Sequence, residues 1–169
     1  MADILQQEES SDKANESSFN QYPSKAIQKL LEEDQSVHAL LGLTKKDIEY
    51  FYAIVKTLYD REKYKEAFHL FELFTFYHHS EKRAWMGLGA CCEKLSKYAY
   101  ALLSYQTAAG LDSEDPLPHF CMAYCWLAGK KTPNALQALE QTILLSAGKP
   151  KYAKIHETAL HLKQTLSRA

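Results

Sequence analysis

The side chains able to do chemistry are four cysteines (Cys91, Cys92, Cys121, Cys125), seven histidines (His38, His69, His78, His79, His119, His156, His161) and acidic pairs such as Glu8–Glu9 and Glu32–Glu33. A zinc site usually gathers Cys-x-x-Cys or closely spaced His pairs. Cys121 and Cys125 are four apart and could share a helix face, but Cys91 and Cys92 are adjacent and point apart on a helix, and no Cys-x-x-Cys pair is present. Small buried thiols in helix packing explain the four better than metal does. His78–His79 fall where a helix should end and can meet its exposed carbonyls. His119 stands in place of a large packing residue and is expected to be partly buried. There is no His-Glu-x-x-His, no phosphate-binding glycine loop and no Gly-x-Ser-x-Gly. The acidic pairs belong to a polar tail or a solvated helix face. Catalysis needs a convergent pocket of perturbed groups, and none is legible. The expectation is a non-enzyme with no catalytic, cofactor-binding or metal-ligating residues.

The elements that carry these residues belong to an ordinary soluble protein. The chain has 169 residues, 46% hydrophobic and 24% charged, enough for one domain with a real core. The formal net charge of −1 provides no basic field for nucleic acid or anionic membrane. Residues 1–20 are acidic and polar, with no secretory signal pattern, and are expected to be a disordered tail. No apolar run is long enough to span a bilayer. Four cysteines without an export signal suit reduced thiols in a cytosol.

The remaining residues, 21–169, read as one helical-repeat domain. A first helix is expected from about Pro23 to Leu41. An internal repeat of 34 residues follows, with copies at about 48–81, 82–115 and 116–149. The first carries Phe51, Ile54, Val55, Leu58, Tyr64, Ala67 and Phe71. The second carries Trp85, Leu88, Gly89, Cys92, Tyr98, Ala101 and Tyr105. The third carries His119, Met122, Ala123, Trp126, Thr132, Ala135 and Leu139. Each copy reads as two antiparallel helices, with Gly89, Ala123 and the three alanines allowing close approach and Phe51, Leu58, Trp85 and Trp126 filling gaps. Gly110 and Gly129 are expected in left-handed caps. Asp115 and Thr132 are expected as N-caps before Pro116 and Pro133. A capping helix at about 150–167, with Ala153, Ile155, Ala159, Leu160 and Leu162, covers the end of the stack.

This periodicity resembles the tetratricopeptide-repeat superfamily. Gly87-Leu88-Gly89-Ala90-Cys91, Lys97-Tyr98, Ala101 and Ser104-Tyr105 resemble the second repeat of class II type III secretion chaperones. Glu114-Asp115-Pro116, Pro118 and Cys125 resemble the start of their third repeat, and Tyr59, Lys63-Tyr64, Glu66-Ala67 and Phe71 resemble their first. Three departures stand out: Glu62 and Ser96 occupy turn positions that are usually glycine, and Val55 replaces a small residue. The resemblance implies an all-α fold, a right-handed superhelical stack of three helix pairs with an N-terminal helix and a C-terminal capping helix. It implies a bacterial cytoplasmic chaperone that holds an extended Pro- and Leu-containing segment of a secreted translocator-type protein in a concave groove.

In such a stack the first helix of each pair lines the groove. Counting along those helices places Tyr52, Lys56, Tyr59, Met86, Ala90, Phe120, Tyr124 and Leu127 there. The surface is aromatic and methionine-lined with few charges, suited to an extended apolar peptide. The alternative for each ring is packing inside the stack. In the first helix, Leu30, Leu31, Val37, Leu40 and Leu41 fit two roles, a homodimer contact or padding for the first repeat.

Three functional readings compete. A chaperone for a translocator fits the groove. An adaptor for a gatekeeper, effector or other regulator would use the same groove, but an acidic-peptide clamp needs several cations where Tyr52, Lys56, Gly87, Leu117 and Cys121 provide one. A metal or redox protein would rest on the cysteines alone.

Overall fold

The computed structural model describes residues 44–168, which form seven α-helices and no strand. They are α1 Lys45–Asp60, α2 Tyr64–Tyr77, α3 Lys82–Lys94, α4 Tyr98–Leu111, α5 Leu117–Ala128, α6 Thr132–Ser146 and α7 Ala153–Leu166, with a 3₁₀ turn at Pro150–Tyr152 before α7. Each helix packs against its neighbours in sequence, as expected of a repeat stack. The expected acidic tail and first helix, with Leu30, Leu31, Val37, Leu40 and Leu41, lie outside the described residues.

Local chemistry sets the helix ends. The Asp47 amide donates to Thr44 Oγ1 at 3.4 Å and the Thr44 amide donates to the Asp47 carboxylate at 2.7 Å, a reciprocal capping box that starts α1. Bonds from the Thr44 hydroxyl and amide hold the Asp47 carboxyl below its ordinary pKa. Within each pair the chain reverses at a residue in the left-handed region: Glu62 (φ 60°), Ser96 (φ 59°) and Lys130 (φ 55°). The next amide donates five residues back, Lys63 to Leu58 O at 2.9 Å, Lys97 to Cys92 O and Lys131 to Trp126 O at 2.8 Å. These are Schellman turns, so the left-handed residue is fixed by the turn and not by the residue type.

That geometry corrects two expectations. Gly110 lies inside α4, and Gly129 has φ −80°; among the described residues the left-handed glycine is Gly148, at φ 67°. Thr132 is the first residue of α6 and is not its cap, because the Schellman turn runs directly into the helix through Lys131. The N-cap of α5 is Pro116 and not Asp115, although Asp115 Oδ1, one residue earlier, accepts from the Leu117 amide at 2.9 Å.

The core follows the repeat. Ala67, Ala101 and Ala135 are fully buried, one per pair, where a larger side chain would push the helices apart. A Cβ on Gly89 would sit 2.6 Å from the Tyr105 ring, so only glycine permits that crossing. Phe51 stacks on Phe74 with centroids 5.1 Å apart, and Val55 is fully buried despite replacing a small residue. Ile54 departs from the pattern: it is exposed, because no described element lies beyond that side of α1. In α7, Ala159 and Leu162 close the end of the third pair, while Ala153 and Leu160 face solvent.

Candidate functional site

The first helices of pairs one and two converge on a cavity of about 280 Å³. From α1 come Tyr52, Lys56, Tyr59 and Asp60, on one face because they recur at spacings of three and four. From α3 come Met86, Gly87 and Ala90, and Phe71 of α2 reaches in from below. Gly87 makes that reach possible: a Cβ there would lie 2.2 Å from Phe71 Cζ. Tyr52 meets Phe71 edge-on at 6.1 Å, and Tyr59 meets Tyr64 at 5.2 Å.

The cations around this cavity are already paired. Lys56 Nζ lies 2.6 Å from Asp60 Oδ2. The Arg83 guanidinium sits over the Tyr52 ring, 5.0 Å from its centroid, and donates to Glu49 at 2.7 and 3.2 Å and to Glu81 at 3.0 Å. Those bonds to Arg83 keep the Glu49 and Glu81 carboxyls below their ordinary values. Burial pushes the Tyr59 phenol up, so its hydroxyl stays protonated and able to donate. The site is therefore an aromatic trough with a charge-balanced rim, suited to apolar side chains and backbone carbonyls and poorly suited to a free acidic terminus.

Five of the eight sequence-chosen groove residues line this one cavity: Tyr52, Lys56, Tyr59, Met86 and Ala90. Phe120, Tyr124 and Leu127 do not. They form a separate stretch on α5, where Phe120 and Tyr124 meet edge-to-face at 5.1 Å and Tyr124 is 42% exposed. Phe120 also packs against the core of the third pair. Sequence reasoning missed Asp60 and Phe71 as lining residues, while Gly87, weighed there only as part of the groove surface for an acidic peptide, does line the cavity. Asp60 was legible as the i+4 partner of Lys56. Phe71 was assigned only to packing, and its second role depends on the missing Gly87 side chain.

The remaining reactive groups do not form a second site. Cys91, Cys92 and Cys125 are buried and Cys121 is half-buried. Burial pushes Cys91, Cys121 and Cys125 up to about 12 and Cys92 up to about 11, which keeps them as thiols. Among the described residues no group of three or more His, Cys, Asp or Glu is placed to hold a metal ion. His119 is half-buried, and burial lowers its pKa. His156 Nδ1 lies 2.8 Å from Ser146 Oγ, joining α6 to α7. Among the described residues no helix is long and apolar enough to cross a membrane.

No family model matches the chain. Relatives and solved structures do. The low calcium response locus protein H of Yersinia pseudotuberculosis is 26% identical over 130 residues, 77% of each chain. The type III secretion translocator chaperone SycD of Yersinia enterocolitica superposes with a TM-score of 0.74 at 25% identity, covering 77% of this chain and 97% of that one. PcrH, solved in complex with the chaperone-binding region of PopD, gives 0.73 at 27% identity, covering 75% and 96%. The chain is similar in sequence and fold to the translocator chaperones of type III secretion. Its all-helical stack matches the tetratricopeptide-like fold of those chaperones, and the trough between α1 and α3 lies on two first helices, where the resemblance to the family placed the groove.

Proposed function

We propose that this chain is a cytoplasmic, non-enzymatic chaperone that holds an extended apolar segment of a secreted translocator-type protein in the trough between α1 and α3. The observation that carries the reading is the trough itself: Tyr52, Tyr59, Phe71 and Met86 around one cavity, with Lys56 and Arg83 neutralised at the rim. It is supported by likeness to PcrH, which was solved with the chaperone-binding region of PopD, and to SycD, which was solved with a peptide of the translocator YopD. Pro or Leu side chains of the cargo fill the space between the rings, and the tyrosine hydroxyls and Lys56 meet its backbone carbonyls. Phe120, Tyr124 and Leu127 on α5 extend the contact along the segment.

The mechanism is one of mass action. A membrane-seeking segment that is bound is withdrawn from aggregation, by an amount set by chaperone concentration over Kd. Ordering a disordered segment offsets part of the contact energy, which keeps release possible.

The test is titration of the full chain with peptides tiled across secreted proteins encoded near it, using intrinsic or labelled-peptide fluorescence. One extended Pro- or Leu-containing peptide binds saturably, and Tyr52→Ala weakens it at least tenfold while circular dichroism is unchanged. Equal binding by Tyr52→Ala and Tyr59→Ala moves the site off this trough.

A further inference from the structure

The first helices of the three pairs carry Tyr59, Glu93 and Leu127 at one register position, 34 residues apart. Tyr59 lines the trough. The middle repeat therefore places a carboxylate where its neighbours place an aromatic and an aliphatic side chain. Met86, Ala90 and Glu93 are spaced by four and three, so they share one face of α3, and the first two already line the trough.

The residue behind Glu93 changes with it. Tyr105, on α4 and only 1% exposed, donates its hydroxyl to Glu93 Oε2 at 3.1 Å. Its counterparts in the other pairs are Phe71 and Leu139. Neither has a hydroxyl, so packing at this core position does not call for one. The bond fixes the carboxylate and occupies one of its oxygens, leaving Oε1 able to accept. Glu93 is half-buried. Among the described residues no Lys, Arg or His nitrogen lies within ion-pair distance of it, whereas Lys56 and Arg83 elsewhere on the rim each have a carboxylate. Burial raises the Cys121 and Cys125 thiols and the Tyr59 phenol, and the nearby Glu93 charge adds to all three. The carboxylate thus sits between α1 and α5, where the trough runs on towards Phe120 and Tyr124.

We propose that Glu93 reads the cargo by receiving a Lys or Arg side chain of the bound segment, beside the apolar side chains that fill the trough. The inference rests on the trough being the cargo site and adds a charge to what that site recognises. A half-buried carboxylate in an apolar surface has lost part of its hydration with no cation to compensate. An incoming cation supplies that compensation, and its aliphatic stem packs along Met86 and Tyr59. Because Tyr105 already holds the carboxylate, little rotamer freedom is lost on binding. An acidic residue at the same point of a segment is repelled, so Glu93 separates apolar segments of otherwise similar shape.

The experiment titrates the full chain with the tiled peptide that binds saturably, and with versions of it in which each Lys or Arg is replaced by Gln in turn. Glu93→Gln keeps an acceptor for Tyr105 and removes the charge. The expected result is that one peptide replacement weakens binding to wild type about fivefold. Glu93→Gln, with unchanged circular dichroism, weakens the parent peptide by a similar factor and does not weaken that replaced peptide further. The difference between wild type and Glu93→Gln shrinks at high salt. Equal binding of the parent peptide by wild type and Glu93→Gln overturns the inference. So does a bound segment without Lys or Arg, and so does a Glu93→Gln loss that is the same for the parent and every replaced peptide, since the role is then structural. Equal binding by wild type and Tyr52→Ala overturns the trough reading itself, and the inference with it.

Discussion

Replacing Gly87 by alanine separates the two roles of Phe71. The added Cβ would lie 2.2 Å from Phe71 Cζ and 2.5 and 2.7 Å from the two Cε atoms. Carbon atoms in good contact sit roughly 3.5–4.0 Å apart, so the ring must retreat by more than about 1 Å. It has little room to do so: Phe71 is only 3% exposed and is held edge-on by Tyr52. Overpacking of this kind costs about 1–3 kcal/mol, and alanine recovers about 0.5–1 kcal/mol of helix propensity. The net loss is about 1 kcal/mol, up to about 2.5 kcal/mol where the ring cannot move, read as a lower urea midpoint at unchanged slope. The displaced ring also shifts the floor of a cavity of only about 280 Å³, so peptide affinity falls as well. Gly89→Ala is the control. Its Cβ would strike the ring of Tyr105, fully buried and bonded through its hydroxyl to Glu93 at 3.1 Å, and Gly89 does not line the cavity. It should lower stability at least as much, while any peptide bound by the folded fraction is bound normally. If Gly87→Ala matches wild type in both urea midpoint and peptide affinity, the assignment of Phe71 as the floor supported by Gly87 is refuted.

Three further outcomes are expected. Ser96→Gly relieves a left-handed serine and should raise stability by about 0.5–1 kcal/mol; a loss, seen as a lower urea midpoint, would mean the Ser96 side chain contributes more than its backbone strain costs. Because burial lowers the His119 pKa, the unfolded chain binds the extra proton first as pH falls. The stability from neutral His119 is therefore present above the unfolded pKa of about 6.5 and is lost as pH drops towards the folded value; urea midpoints between pH 7.5 and 5 should fall less in His119→Gln than in wild type. With thiol pKa values raised to about 11–12 by burial, the native cysteines should react slowly with a thiol reagent at pH 8 and all react quickly in urea; fast native reaction of Cys91 or Cys92 would show the second pair to be open.

Much of this was legible because a repeat writes the same physics several times. Ala67, Ala101 and Ala135 could be read as buried without a structure, since only a small residue recurs where two helices touch. The helix pairs followed from that register. The turns were misread for a related reason. Glycine was taken as the marker of left-handed backbone, but the Schellman turn sets φ at Glu62, Ser96 and Lys130 whatever residue sits there. Phe71 was misjudged because a side chain was assigned one environment: it packs in the core of pair one and, through the space left by Gly87, also floors the trough. The charge of Lys56 was counted as available to a ligand, although Asp60, one turn on, already occupies it.

The regularity that reveals the fold also isolates what the fold does not require. Positions alike in all three copies are explained by packing, so they say little about partners. Positions that differ where the architecture would tolerate either choice carry the information. Tyr52 on α1 has Met86 as its counterpart on α3 and Phe120 on α5, three large apolar side chains on first helices, where a solvated surface would favour charge; this is the pattern of a surface that meets an apolar segment along its length. Tyr100 and Leu103 on α4 have Glu66 and His69 on α2 and Asn134 and Gln137 on α6, a difference confined to one helix. The first recurs along the stack, as the proposed contact with an extended segment requires.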